Sequence, residues 1–210
     1  MQTLFICLVI LSAIIAIWSK HILNKLLFMI FKPLTMLLII FLLLFTWNGH
    51  AQYAFWILFG LIFSLVGDIF LMLSKKYFKY GLFAFLVAHV FYIYAFTMNV
   101  HQYNYFILSI VLIYSVLMFL YLKNSLGSNI LPVAVYIIVI SFMLWTAISR
   151  YLDQTNLLNL FVLTGGILFV ISDTVLAINK FKKQLMFSEE IVLLTYYTAQ
   201  ILFVLSTITY

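Results

Sequence analysis

Long apolar runs separated by short polar connections make up most of the chain. Eight runs can be distinguished, and most have about the 20 residues that an α-helix needs to cross a bilayer. The pattern therefore predicts an all-α polytopic membrane protein with eight transmembrane helices in one integral membrane domain, residues 1–210. The runs are Thr3–Trp18, Leu26–Trp47, Tyr53–Leu73, Lys79–Met98, Tyr103–Leu122, Leu131–Ile148, Asn156–Ile178 and Ser188–Tyr210.

The first run is short enough to be compared with a signal peptide. However, Met1-Gln2-Thr3 contains no basic residue and no small-residue cleavage site follows the run. A signal peptide requires both features, so we expect a retained helix.

Composition excludes a soluble domain. The chain is 67% hydrophobic and only 8% charged, which is more apolar surface than a water-soluble fold of this size can bury. The single Cys7 cannot form an internal disulfide. The net charge of +6 comes from lysines between the apolar runs, so it indicates orientation in a membrane rather than binding to nucleic acid.

The basic residues are distributed unequally between alternate connections. Ten lysines fall on one side and Arg150 alone falls on the other. Because such an excess marks the cytoplasmic side, we predict that both termini lie outside, and we expect a bacterial inner membrane. The ten are Lys20, Lys25, Lys32, Lys75, Lys76, Lys79, Lys123, Lys180, Lys182 and Lys183.

Two of the apolar runs each contain one aspartate in a similar setting. In both, a glycine lies eight residues before the aspartate and a leucine three residues after it. Asp68 is six residues before Ser74 and Asp173 is six before Asn179, which is about 9 Å along a helix from the cytoplasmic end. Ionisable groups inside a membrane usually face the bundle interior. We therefore expect both carboxylates inside the bundle at similar depth.

The prolines extend this similarity to a larger part of the chain. Pro33 and Pro132 lie near the starts of the second and sixth runs, and the aspartates lie in the third and seventh. The pattern predicts a 4+4 internal pseudo-repeat, with the two halves related by an axis along the membrane normal.

A pair of nearby carboxylates can act as an acid and a base. In a site of low dielectric constant, two such groups tend to share one proton, as in glycosidases. Asp68 and Asp173 are therefore candidate catalytic residues for acid-catalysed hydrolysis. The alternative is that each aspartate only anchors neighbouring helices through hydrogen bonds.

Several other polar side chains fall within the apolar runs. They can line a cavity and bind a lipid headgroup or glycerol, or they can simply bond neighbouring helices to one another. The histidines are scattered and there is one cysteine, so no metal site is predicted. The candidate substrate-binding residues are Lys32, Ser64, His89, Tyr92, Ser172, Tyr197 and Gln200.

The order and spacing of short motifs resemble the YhhN family, the lysoplasmalogenase family of eight-helix membrane proteins. The resemblance covers nearly the whole chain from about Lys32. The motifs are Lys32-Pro33, Gly67-Asp68 with Leu71, Gly81 with His89 and Tyr92, Ser172-Asp173 with Leu176-Ala177, and Ala199-Gln200.

The resemblance implies hydrolysis of the vinyl ether bond of lysoplasmalogens, with Asp68 and Asp173 as the catalytic pair. The products would be a fatty aldehyde and glycerophosphoethanolamine or glycerophosphocholine. The substrate would be a lysophospholipid that enters sideways from the inner leaflet. Protonation of a vinyl ether requires no metal or organic cofactor, and the residues leave open which aspartate is the acid.

Two other classes of function also use paired membrane aspartates. An intramembrane aspartyl protease would have Gly-x-Gly-Asp, whereas this chain has Leu65-Val66-Gly67-Asp68, and no Pro-Ala-Leu sequence occurs. A proton-coupled transporter of a small or lipid-like solute would suit a repeat, but neither aspartate run contains a proline. Aldehyde release by detergent-solubilised protein separates hydrolysis from transport, because transport needs two compartments.

Overall fold

A computed structural model describes residues 2–47 and 52–208, and within these ranges all the regular structure is helical. Eight helices in the described part are long and apolar enough to cross a membrane, which confirms the predicted fold class. The chain is therefore a polytopic integral membrane protein. The helices are α1 Gln2–His21, α2 Lys25–Thr46, α3 Gln52–Met72, α4 Phe78–Thr97, α5 Tyr105–Leu122, α6 Ile130–Asp153, α7 Leu157–Phe181 and α8 Ser188–Leu205.

The ends of α6 and α8 differ most from those predicted, by five residues each. The apolar run ending at Ile148 continues as α6 to Asp153, because Arg150 donates to the carbonyls of Phe96 and Met98 and to the Asn159 side chain. These bonds hold a polar turn inside the helix. The last run was predicted to reach Tyr210, but α8 ends at Leu205, and residues 209–210 lie outside the described residues.

Neighbouring helices form the bundle largely as hairpins. The pairs α1–α2, α3–α4 and α7–α8 pack together, and α4 and α7 both contact α6. Helix α8 also contacts α1 and α2, whereas α5 packs against α6. Helix α5 has many lipid-facing side chains and few buried ones. Aromatic residues such as Tyr92, Phe169 and Phe203 fill the centre.

Helices α3 and α4 approach closely through glycines. A Cβ atom added to Gly60 would lie 2.1 Å from the ring of Tyr92, and one added to Gly67 would lie 2.5 Å from the ring of Phe85. Small residues permit this close contact between membrane helices. Asp68 therefore faces protein neighbours rather than lipid. The 4+4 pseudo-repeat and the outside location of the termini stay predictions.

Candidate active site

Asp68 is buried between three helices. Its side chain is 2% exposed on α3. The Lys32 ammonium of α2 lies 2.9 Å from Oδ1, and the Tyr196 hydroxyl of α8 donates to Oδ2 over 2.7 Å. Both carboxylate oxygens are thus engaged, one of them in a charge-assisted bond. Lys32 and Asp68 were both predicted site residues, and the fold brings them into contact.

Asp173 has a different environment. It is only partly buried on α7, and the Tyr136 hydroxyl of α6 donates a hydrogen bond to its Oδ2. Among the described residues, no cation lies within ion-pair distance of Asp173. The two aspartates therefore differ in charge compensation, although their sequence settings are alike.

A polar cavity of about 280 Å³ contains both aspartates. The cavity lies between α1, α2, α3, α7 and α8, near the helix ends that the lysine distribution predicts to face the cytoplasm. Its wall also includes Phe85 of α4. Lys32 and Ser172 contribute to the same wall. The lining residues are Lys20, Phe28, Lys32, Asp68, Leu71, Met72, Phe85, Ser172, Asp173, Leu176, Asn179, Lys180, Ser188, Glu189, Val192, Leu193 and Tyr196.

Charged side chains of both signs occupy one part of this wall. Lys20 at the end of α1 pairs with Glu189 at the start of α8, and both are partly exposed. Lys180 of α7 also lines the cavity. Next to the first pair, His21 Nδ1 lies 3.7 Å from Glu190 Oε1. The Lys20–Glu189 and His21–Glu190 contacts connect α1 to α8. Lys20, Lys180 and Glu189 line the same cavity as the two aspartates.

An apolar groove of about 60 Å³ also has Asp173 in its wall. Its wall comes from α3, α4, α5, α6 and α7 and includes Tyr136, Val170 and Thr174. The polar cavity and the apolar groove have Asp173 in common, together with Leu71, Phe85, Leu176 and Lys180. Asp173 therefore stands at a junction between polar and hydrocarbon-like surroundings.

The remaining predicted residues lie behind Asp68. Ser64, Tyr92 and Gln200 are fully buried; the Tyr92 hydroxyl donates to Gln200 Oε1 over 2.6 Å and lies 3.5 Å from Ser64 Oγ. None of the three belongs to the described lining of the polar cavity. They form a buried polar cluster that connects α3, α4 and α8, and their contact with a substrate stays a prediction.

Three further predicted residues have distinct surroundings. The His89 ring packs edge-on against Tyr136 and Phe169, with ring centroids 5.2 and 4.8 Å apart. Tyr197 donates to the Lys32 carbonyl over 3.4 Å. Ser172 donates to the Val192 carbonyl over 3.1 Å and is the member of this group that also lines the polar cavity.

Sequence reasoning missed both tyrosines that bind the aspartates. Tyr136 is the one polar side chain between Pro132 and Ile140, which was a detectable signal. Tyr196 lies four residues before Gln200 and so shares its helix face, but the sequence analysis predicts its neighbour Tyr197 as the site residue. Aromatic residues are frequent in this chain, so composition did not distinguish these two.

Eight helices able to span a membrane, with two aspartates in the wall of one polar cavity between them, define an integral membrane protein with an acidic site inside its helical bundle. The chain belongs to the YhhN family, whose model matches residues 27–207. It is similar to proteins named lysoplasmalogenase in mammals. No solved structure matches it significantly.

The similarity to these relatives covers most of the chain. Identity is 34% over 153 residues with lysoplasmalogenase TMEM86A of Bos taurus, covering 71% of this chain and 63% of the bovine protein. It is 35% over 153 residues with the Homo sapiens TMEM86A protein, with the same coverage of 71% and 63%. With lysoplasmalogenase TMEM86B of Rattus norvegicus it is 33% over 174 residues, covering 81% and 70%. The chain thus spans 63% of the length of the two TMEM86A proteins.

Proposed function

We propose that this protein is a hydrolase that cleaves the vinyl ether bond of lysoplasmalogens, releasing a fatty aldehyde and glycerophosphoethanolamine or glycerophosphocholine. The observation that carries the proposal is the position of Asp173 where the polar cavity meets the apolar groove. A lysoplasmalogen has a polar head, one hydrocarbon chain and the vinyl ether between them. With its head in the cavity and its chain in the groove, the reactive bond lies beside Asp173. The names of the mammalian relatives support the same substrate.

The different surroundings of the two aspartates assign their roles in this proposal. Asp173 accepts its one described side-chain bond at Oδ2, so Oδ1 can carry the proton that adds to the β-carbon of the vinyl ether. Proton transfer leaves an oxocarbenium ion beside the new Asp173 carboxylate. A carboxylate that is already in place where the positive charge develops stabilises the transition state, because no protein group has to reorient during proton transfer.

Asp68 acts as the ionised partner. Its bonds from Lys32 and Tyr196 hold it in place, and a carboxylate with about four acceptor sites has capacity for a water molecule as well. Water adds to the α-carbon of the oxocarbenium ion and its proton returns to Asp173. The resulting hemiacetal then collapses: its hydroxyl proton is transferred to the glycerol oxygen as the carbon–oxygen bond to glycerol breaks, giving aldehyde and alcohol. No step in this sequence needs an oxidant or reductant.

The charged wall of the cavity suits a zwitterionic headgroup. Lys20 and Lys180 of the lining can attract a phosphate, and Glu189 can attract the ammonium group of ethanolamine or choline. A bound headgroup would replace the Lys20–Glu189 ion pair, with its phosphate on Lys20 and its ammonium group on Glu189. The ion pair is therefore the arrangement of the cavity without substrate. Because these side chains are partly exposed, their effect should decrease as salt screens the charges.

The cavity is also proposed to face the cytoplasm, so the substrate enters from the inner leaflet. This orientation follows from the excess of lysines at the connections near the cavity, including Lys20 and Lys180. The proposed location in a bacterial inner membrane stays a prediction, and the relatives named above are mammalian.

Aldehyde release from a defined lysoplasmalogen by purified protein in detergent tests the proposal. The matched control is the ordinary ester lysophospholipid with the same head and chain length. Its cleavage needs attack at a carbonyl, so we expect little free fatty acid. A well-folded protein that releases no aldehyde, or that cleaves the ester equally well, would contradict vinyl ether hydrolysis. The alternative, a proton-coupled transporter, gives no product in detergent.

A further inference from the structure

A second groove lies on the surface of the bundle that faces lipid. Its volume is about 280 Å³ and its wall comes from α5, α6 and α7. We call it the lateral groove. Its lining residues are Tyr114, Leu144, Ile167, Val170, Ile171, Thr174 and Val175.

The lateral groove is continuous with the apolar groove at Asp173. Tyr114, Val170 and Thr174 belong to the walls of both. Thr174 is the residue next to Asp173 on α7. The shared wall therefore connects the aspartate to a lipid-facing surface.

One hydrogen bond crosses this connection. The Tyr114 and Thr174 hydroxyl oxygens are 2.5 Å apart. Thr174 donates to the Val170 carbonyl over 2.6 Å, so Tyr114 is the donor to Thr174. The bond joins α5 to α7, and α5 packs mainly against α6.

The apolar groove at Asp173 is too small for a long hydrocarbon chain. At about 10–15 Å³ for each water-sized group, a volume of about 60 Å³ holds only about four to six such groups. A longer chain that begins at Asp173 must continue elsewhere. The lateral groove is the continuation with the required space. Its wall is apolar apart from the Tyr114 and Thr174 hydroxyls, which are already bonded to each other.

We propose that the lateral groove binds the distal part of the alkenyl chain, which reaches it along the wall of Tyr114, Val170 and Thr174 that the two grooves share. This inference rests on the proposed function, because the occupant is the hydrocarbon chain of the proposed substrate. The structure thus divides the substrate among three places: the head in the polar cavity, the vinyl ether at Asp173, and the end of the chain in the lateral groove.

Ile167→Trp tests the proposal, with Ile138→Trp as its matched control. Ile167 is 43% exposed and lines the lateral groove, whereas Ile138 is 48% exposed on α6 and is not part of the described lining. With a long-chain lysoplasmalogen, Ile167→Trp should lower kcat/KM at least about tenfold, because filling an apolar pocket excludes the methylene groups that it binds. A short-chain substrate should react equally well with both variants.

A measurement on the unaltered protein does not depend on folding of the variants. A lysophospholipid with a saturated ether chain cannot be hydrolysed by vinyl ether protonation, and a diazirine at its chain end reports where that end lies. Mass spectrometry should find label at Leu144 and Ile167 that excess unlabelled ether lipid displaces. Label around Ile138 should not be displaced.

The outcomes separate the two proposals. Equal chain-length dependence in Ile167→Trp and Ile138→Trp, or label that competes equally at both positions, would overturn the lateral groove as the chain site. Absence of aldehyde from the unaltered protein would overturn the reaction instead, and the labelling would still report whether the groove holds a lipid chain.

Discussion

The hydroxyl of Tyr136 donates to Asp173 Oδ2 across 37 positions of the sequence. Asp68 has its own tyrosine, Tyr196, but it also has Lys32. The two aspartates that look alike in the sequence thus differ in the fold. Only the environment of Asp68 includes a buried cation within ion-pair distance among the described residues. This asymmetry supports separate roles for a proton donor and a permanent carboxylate.

Replacement of either aspartate should remove activity. Asp68→Asn and Asp173→Asn keep the size and much of the hydrogen bonding, but the first removes the carboxylate charge of Asp68 and the second removes the exchangeable proton of Asp173. Asp173→Asn should leave stability near normal, whereas Asp68→Asn leaves the Lys32 ammonium without its anion and should also lower stability. Each should lower aldehyde release at least about 100-fold, the lower limit typical of general acid–base catalysis. The double variant should be little worse than either single variant, because residues that act as a unit are not additive. The rate of the unaltered protein should show a bell-shaped pH dependence that belongs to the pair.

Asp153→Asn is the control for these variants. Asp153 lies at the end of α6 and accepts bonds from the backbone of His101 and Gln102, away from the cavity lining. It should keep near-normal turnover. Thermal melting must show that all the variants are folded. Near-normal turnover in Asp68→Asn or Asp173→Asn would remove that residue from the mechanism.

Lys32→Met should destabilise the protein, because it leaves the buried Asp68 carboxylate without its cation. Loss of one partner of a buried ion pair costs about 3–5 kcal/mol. The double variant Lys32→Met/Asp68→Asn removes both charges and should recover much of this loss. Unfolding in detergent by heat or denaturant, compared for the four proteins of the cycle, measures the coupling. Losses that simply add would show that the contact carries no interaction energy.

Glu189→Gln should change headgroup preference rather than chemistry. If Glu189 binds the amine, the variant should raise KM for ethanolamine lysoplasmalogen and leave KM unchanged for a lysoplasmalogen whose glycerol headgroup has no amine. Glu190→Gln is the control, since Glu190 pairs with His21 and is absent from the described cavity lining. Steady-state kinetics at low and high salt give both values. An equal change for both headgroups would contradict amine recognition.

The predicted orientation can be tested with a reporter that is active only in the cytoplasm. Fused after residue 210, it should be silent, because the ten-to-one distribution of basic residues places both termini outside. Inserted into the connection at residues 182–187, the same reporter should be active. Strong activity of the terminal fusion would reject this orientation.

The membrane class, the eight spans and the two candidate aspartates could be predicted from the order of residues alone. The physical reason is that a bilayer requires about 20 apolar residues for each helix and satisfies backbone groups only within helices. These constraints act on each segment alone, so they can be read without knowledge of its neighbours. An aspartate inside such a segment is conspicuous because burial of its charge is costly.

Which side chains contact one another depends on how the helices pack. Lys32 was an expected site residue, but its contact with Asp68 depends on the rotation and depth of α2 relative to α3. Tyr136 and Tyr196 come from other helices, and their sequence contexts resemble those of many aromatic residues in the chain. Packing also placed the predicted residues Tyr92 and Gln200 in a buried cluster behind Asp68. Contacts between distant helices depend on side-chain packing across the whole bundle, and no local pattern of apolar and polar residues encodes them.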